Sequence, residues 1–455
     1  MQHQRPKEIN INCTKKEFGL RVECEGKDYF LKYPNKSWQS YPEEIKDVLV
    51  DNLIHLLTID IPVVSSNVDT INYNTSLPLF RSFFRNMVFY GIPPSVDDYK
   101  HETQTILERY INSRYIFKDN EVKHPSYEKI QTKEKALISL SCGKDSLLTL
   151  GIAQELGLKP DGAYINDTVS PIENKTKLSY LKKISREFKI KIHFMRNEIE
   201  QLVDYETWGE DETMLSYNHM MTGFCFISLP IAHHLKTKYL ILGNQQDMNF
   251  RFLNKDGILT YPSYDQTSKW LTEQNLMIKM MTNDCVKVFS LIEPLTNIAI
   301  MKILHKRYKK LGKYEFSCDC VQDSGHERWC CQCNKCARLY IFMKAFGINP
   351  KSVGYTRNLL RKKYKKYYTL FDGEEIDIYE KSPEAKEQQM LAFYLAYKNG
   401  EKGYLIDLFK KKFLKEAQEK EDMLTKKFLN VYKSPNIPRN LRKDVYSIYR
   451  EELNK

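Results

Sequence analysis

Lys135-Ala136-Leu137-Ile138-Ser139-Leu140-Ser141-Cys142-Gly143-Lys144-Asp145-Ser146-Leu147-Leu148 decides how this chain reads. Residues 136–140 form a short apolar run of the kind that fills a buried parallel strand. A small polar loop follows, and 147–156 has the pattern of an amphipathic helix. A strand, a tight turn and a helix start together aim backbone N–H groups and a positive dipole end at an anion. The hydroxyls of Ser141 and Ser146 add hydrogen bonds to phosphate oxygens, and Lys144 adds positive charge. Asp145 repels a bare phosphate, so its presence implies Mg²⁺ as a bridge. The Walker pattern Gly-x-x-x-x-Gly-Lys-Ser/Thr is absent.

Working outward, strands are expected at 162–166, 190–195 and 238–242, the last ending at Gly243-Asn244. Helices are expected at 179–188 and 223–235. This β-α alternation predicts an α/β fold, a doubly wound parallel sheet with helices on both faces. Ahead of it, 21–24 and 29–33 read as a hairpin turning at Glu25-Gly26-Lys27, and 44–57 as a helix. The segment 97–117 reads as one long helix, and Gly91-Ile92-Pro93-Pro94 as a break. Three regions are expected: an N-terminal α+β region at 1–130, the α/β domain at 131–350 with a Cys-rich metal loop, and a basic, mainly helical region at 351–455.

The chain has 455 residues and a formal charge of +12, with 42% hydrophobic residues, enough for a full core. The longest nearly apolar stretch, 222–235, is too short to span a bilayer and holds His233 and His234. No signal peptide is visible, so a cytoplasmic protein without a membrane partner is expected. Residues 351–455 hold 24 Lys/Arg against 16 Asp/Glu, which is most of the surplus. Within them, Arg361-Lys362-Lys363-Tyr364-Lys365-Lys366-Tyr367-Tyr368 suits either a phosphate backbone or a solvated face, so nucleic acid stays open as a partner.

Six of the eleven cysteines fall between Cys318 and Cys336. Such a cluster in a long chain reads as a reduced metal site rather than a disulfide framework. Cys318, Cys330, Cys333 and Cys336 supply four thiolates suited to tetrahedral Zn²⁺, with an iron–sulfur cluster as the alternative. Cys320 can replace Cys318. A site closed by four cysteines leaves no position for a reactive water, so its expected role is to fold a loop.

Ser141-Cys142-Gly143-Lys144-Asp145-Ser146 resembles the Ser-Gly-Gly-x-Asp-Ser signature of the PP-loop ATP pyrophosphatases, whose domain is the PP-loop/HUP-like α/β sheet. The resemblance implies an enzyme that splits ATP between the α and β phosphates, transfers AMP to a substrate oxygen and releases pyrophosphate. It implies ATP and Mg²⁺ as cofactors, held by Ser139, Ser141, Cys142, Gly143, Lys144, Asp145 and Ser146, with Lys144, Asp145 and Ser146 acting in catalysis. Asn166 and Asp167 fall where the superfamily contacts adenosine. Cys142 stands where glycine is usual; it is either a tolerated small residue or a sulfur carrier.

Within the superfamily, the chain is most similar to the MurL-type UDP-N-acetylmuramoyl-L-alanyl-L-glutamate epimerases. Phe289-Ser290-Leu291-Ile292-Glu293-Pro294-Leu295, Phe316-Ser317-Cys318, Arg328-Trp329-Cys330-Cys331-Gln332-Cys333-Asn334-Lys335-Cys336 and Gln266-Thr267-Ser268-Lys269 carry that resemblance. Gly243-Asn244 falls at its Asn-Glu pair, with Gln245 in place of the Glu. It implies a peptide or small-molecule carboxylate that is adenylated so that a base can remove the α-proton, with Asp247, Asp265, Lys269 and Glu293 as candidate bases. Next in similarity are the QueC-type cyano-deazaguanine synthases, which imply a deazaguanine carboxylate. A third possibility is an RNA-modifying ligase using the basic tail.

Overall fold

The computed structural model describes residues 7–97, 99–168, 170–318, 320 and 328–454, apart from the side chains of Asp167 and Ser216. Its strands are β1 (Lys7–Lys16), β2 (Gly19–Cys24), β3 (Lys27–Lys32), β4 (Val68–Ser76), β5 (Arg114–Asp119), β6 (Lys133–Ser139), β7 (Asp161–Asp167), β8 (Ile192–Asn197), β9 (Thr237–Leu242), β10 (Phe252–Leu253), β11 (Leu259–Thr260) and β12 (Lys287–Ser290). Ten of them form one sheet in the order β12-β9-β6-β7-β8-β3-β2-β1-β4-β5, and β10 pairs with β11 apart from it. The fold is α/β, built on this large, mostly parallel sheet.

The strand expected from residues 136–140 is β6, and it is central because both of its faces are apolar. Ala136 and Ile138 enter one core, and Leu137 enters the other. Tyr239 and Ile241 against Leu240 and Leu242 repeat the division in β9. Period-two alternation with both faces apolar requires cover on both sides. The Lys144–Glu155 and Asn297–Lys306 helices cover the first face, and the Glu43–Thr58, Met220–Ile227 and Ser268–Met281 helices the second. Strands β12, β9, β6, β7 and β8 are all parallel to one another. From β6 the chain moves to β7 and β8 on one side, then returns to β9 and β12 on the other, so strand order reverses between β6 and β9.

The N-terminal residues extend the same sheet. The expected hairpin forms between β2 and β3, with Glu25 and Gly26 at φ 51° and 76°, the backbone of a tight two-residue turn. β3 then pairs antiparallel with β8 through Leu31↔Asn197 and Lys32↔Arg196. Residues after 350 enter the core that holds β6. Phe393, Phe409 and Tyr449 are fully buried, and the Tyr449 hydroxyl donates to the Leu291 carbonyl at 2.6 Å. In the Lys- and Tyr-rich run, Tyr364, Tyr367 and Tyr368 are buried while the neighbouring lysines face solvent.

Two local expectations are corrected. Residues 97–117 are not one helix: Thr103–Asn112 is helical, Ser113 is extended, and β5 follows. Tyr115, Ile116 and Phe117 have strong strand preference, and Phe117 stacks on Tyr73 of β4 at 5.0 Å, so sheet packing overrides the helical pattern. Gly91-Ile92-Pro93-Pro94 is not a break either, since the Arg81–Ser95 helix runs through it. Both prolines sit in the last turn, and the Asn254 amide donates to the Pro93 carbonyl at 2.9 Å. Among the described residues, no helix is long and apolar enough to cross a membrane.

Candidate functional site

The loop after β6 is shaped by its own small side chains. Leu140 N–H donates to Ala163 O at 3.0 Å, which carries the β6–β7 ladder to the loop's edge. Ser146 Oγ accepts from the Ser141 amide at 3.3 Å and donates to Gly143 O at 3.0 Å, closing the turn. Gly143 caps the Lys144–Glu155 helix without a side-chain cap bond, so of its first-turn amides that of Lys144 is held from outside, by Ser317, and those of Asp145 and Ser146 can serve a ligand. Ser139 is the half-buried last residue of β6, in register with Ala163.

Cys142 adopts φ 63°, the left-handed conformation that makes glycine usual at such a position. The Cβ costs about 1–2 kcal/mol there. Its side chain is fully buried in the core beneath the loop. Burial pushes the thiol up to about 12, which leaves it protonated at neutral pH and unsuited to carry sulfur in this arrangement.

Lys144 is buried, and its Nζ lies 2.7 Å from both carboxylate oxygens of Asp145 and 3.4 Å from Gln245 Oε1. Burial holds its ammonium below the usual lysine range, with Asp145 opposing that shift. The two charges neutralise each other; a phosphate with a bound cation can divide them, Lys144 turning to the anion and Asp145 to the cation.

Neighbouring strand ends complete the site. A Cβ on Gly243 would lie 3.2 Å from Asp145 Cβ, so glycine admits close approach of the loop to the end of β9. Asn244 is 1% exposed, and neither Oδ1 nor Nδ2 finds a partner. Its carbonyl accepts from Ser290 Oγ at 2.7 Å. On the other side, at the end of β7, Asn166 Oδ1 is also buried without a partner. At the mouth of the loop, these unpartnered polar atoms are groups whose hydrogen bonding a ligand could complete. The Asp167 side chain lies outside the described residues.

The cysteine cluster is attached to this loop. Phe316 N–H donates to Cys142 O at 2.8 Å, and Lys144 N–H donates to Ser317 Oγ at 3.1 Å. The next residue is Cys318. The sulfurs of Cys318, Cys330, Cys333 and Cys336 all lie within 4.8 Å of one another, with Cys330 and Cys336 at 3.7 Å. Four sulfurs about 2.3 Å from a tetrahedral zinc stand about 3.8 Å apart, so the set can hold one metal ion such as zinc. The spacing suits a single ion better than a multi-iron cluster. Amides of Cys330, Gln332 and Cys336 donate to Cys318, Cys330 and Cys333 sulfurs at 3.3–3.4 Å, favouring thiolates. Cys331, at φ 55°, is buried outside the four. Trp329 stacks on Tyr355 at 4.4 Å, and the Tyr355 hydroxyl donates to Cys336 O at 3.0 Å.

The candidate bases are all held elsewhere or engaged. Asp247 accepts from Gln388 Nε2 and from the Asn297 amide at 2.7 Å. Asp265 accepts from the Met221 amide at 3.0 Å and from Ser263 at 2.7 Å. Glu293 is held by Ser434 and by Asn436 Nδ2 at 2.8 Å. Lys269 lies over the Tyr90 ring.

Several residues at the site gave no sequence signal of their role. Ser317 Oγ donates to Glu315 Oε1 at 3.2 Å, and Glu315 Oε2 meets His305 Nε2 at 2.6 Å, both of the latter buried. The Ser-Cys dipeptide was the only local clue to this chain of contacts. Gln388, and the buried Arg338–Glu380 ion pair, come from segments far along the sequence. Compared with known proteins, the chain matches no protein-family model and no characterised sequence.

Proposed function

We propose that the chain is an AMP-forming ATP pyrophosphatase of the PP-loop kind, on a doubly wound sheet, that adenylates a substrate carboxylate. The observation that carries this reading is the position of Ser141–Ser146: it opens a helix at the point where strand order reverses, the usual ligand crevice of open α/β sheets. The unpartnered amide of Asn244 and the unpartnered Asn166 Oδ1 flank that point and suit the nucleoside. Ser141, Ser146 and the first-turn amides suit the phosphates, and Asp145 suits Mg²⁺. Bound Mg²⁺-ATP supplies an electrophilic phosphorus and a pyrophosphate leaving group. Lys144 sits where it can shift from Asp145 to a phosphate oxygen as negative charge develops. The four-cysteine set, closed to water, braces the loop through Ser317 and Phe316 rather than entering the chemistry.

Epimerisation of a terminal glutamate is the narrower reading. Its segment 289–295 is largely core here, with Phe289, Leu291, Ile292 and Leu295 fully buried, so the choice of carboxylate rests with substrate tests. The direct test is release of AMP and pyrophosphate from Mg²⁺-ATP across a panel of carboxylates that includes the UDP-muramoyl dipeptide and carboxy-deazaguanine. Turnover with at least one, abolished by Asp145→Ala, supports the reading. Absence of both products throughout, with ATP binding unchanged in Asp145→Ala, overturns it.

A further inference from the structure

A second charged site lies away from the loop. The Ser268–Met281 helix, the start of edge strand β12 and the segment entering the Arg439–Leu453 helix enclose an open cavity of about 440 Å³. Lys279, Lys287, Arg439 and Arg442 line it, together with the amides of Asn275 and Asn440, and no carboxylate does. Among the described residues, one nearby acid forms an ion pair with a lining cation. Asp284 pairs with Lys279 at 3.3 Å from outside the lining, Glu134 pairs with Lys238, and Glu293 is held by Ser434 and Asn436.

Lys279 is paired with Asp284, but Lys287, Arg439 and Arg442 have no ion pair among the described residues, and the local backbone adds to this positive surplus. The Arg439–Leu453 helix, 15 residues long, starts at Pro438 with no side-chain cap and no acid in its first turn. Arg439 and Arg442 stand instead at its positive dipole end, where cations are unfavourable. Arg442 is fixed by Nη2 hydrogen bonds to Ile437 O at 2.9 Å and Pro435 O at 3.3 Å, while its buried Nε has no partner. An anion in the cavity would meet the lining cations and the open helix start together.

We propose that this cavity binds a small phosphorylated molecule, at a site separate from the Ser141–Ser146 loop. Guanidinium groups and helix-start amides match the several oxygens of a phosphoryl group better than a single carboxylate. The volume falls in the range of small-molecule sites, and the cations converge on one cavity rather than forming the stripe that tracks a nucleic-acid strand. The inference does not depend on the adenylation reading.

Calorimetric titration of the full chain with inorganic pyrophosphate tests it, using Lys287→Ala/Arg439→Ala. Arg439 is exposed and Lys287 half-buried, so the fold should tolerate the change; Arg439→Gln alone provides a milder second variant. The expected result is a binding event weakened about tenfold or more in the double variant, less so in Arg439→Gln, retained in Lys287→Arg/Arg439→Lys, and unaffected by Ser146→Ala. Identical isotherms for wild type and double variant overturn the proposal. So does wild-type binding that Ser146→Ala removes entirely. Loss of binding to a short RNA in the double variant, with no pyrophosphate event at this site, overturns it in favour of a nucleic-acid contact.

Discussion

Ser317 Oγ accepts the Lys144 backbone amide at 3.1 Å, so a residue adjoining the first of the four clustered cysteines holds the first helical amide after the Ser141–Ser146 loop. Behind it, Glu315 and His305 fix the hydroxyl. Ser317→Ala removes this bond and leaves the fold's core intact. Its expected effect is a rise in KM for ATP of about threefold to tenfold, the worth of one hydrogen bond, with little change in melting temperature. Steady-state pyrophosphate release and a thermal melt measure the two together.

The same connection predicts how metal loss propagates. Metal analysis of the purified chain should find one tetrahedral ion per molecule, and Cys333→Ser should lower that occupancy. Because Phe316 and Ser317 tie the cysteine segment to Cys142 and Lys144, chelation should weaken ATP binding as well as lower the melting temperature. Full metal loss with unchanged ATP affinity would show that the two centres are mechanically independent.

Cys142 offers a test of the loop's backbone. Glycine relieves the left-handed strain but gives up the buried side chain and raises the entropy of the unfolded chain, so Cys142→Gly should change stability by no more than about 1 kcal/mol. Cys142→Val places a β-branched residue at φ 63° and should destabilise by about 2 kcal/mol or more. Denaturant melts give both values. Cys142→Gly retaining turnover, with wild-type Cys142 resisting alkylation at neutral pH, excludes a sulfur-transfer role.

What was legible beforehand was local. Residues 136–156 declared a strand, a polar turn and a helix because apolar periodicity and small loop residues act over a few positions. Cys330-x2-Cys333-x2-Cys336 was legible, for the same reason, as part of a set that could hold a metal. The pairing of Leu31 with Asn197 was not legible, because strand partners distant in sequence leave no mark in either strand's pattern. Nor was the fate of Tyr364, Tyr367 and Tyr368: alternating with lysines they read equally well as a polyanion track, and only packing against the tail helices shows them as core. Gln388 reaching Asp247 belongs to the same class of long-range contact.

Two buried acids set a pH dependence of stability. Burial pushes Glu380 up to about 7, although Arg338 opposes the shift, and Asp265 up to about 6. Their ordinary values are 4.5 and 3.8, so the folded chain holds both protons more tightly than the unfolded chain. Their contribution is therefore greatest below the unfolded values and is lost as pH rises through about 6 and 7. Stability should fall between about pH 4 and 7, and Glu380→Gln, which stays neutral throughout, should flatten that slope. A steeper slope in the variant would contradict the assignment.

The basic tail makes the last prediction. Its charge suggests a detachable arm, but its apolar residues lie in the core that contains β6: Leu391, Phe393, Phe409 and Tyr449 are fully buried in the same core as Ile138 and Leu150. Gln388 donates to Asp247, Thr296 Oγ1 donates to Phe428 O, and Arg307 joins Glu155 to Glu451 and Glu452. Removing the chain after Pro350 strips all of these at once, and a single large core truncation already costs about 3–5 kcal/mol against a total stability of about 5–15 kcal/mol. The truncated chain should be insoluble or bind a hydrophobic dye, and Phe393→Ala in the full chain should lower the melting temperature while leaving the metal content unchanged. A soluble, cooperatively melting fragment ending at Pro350 would instead show that the tail is a separate unit laid against a self-sufficient core.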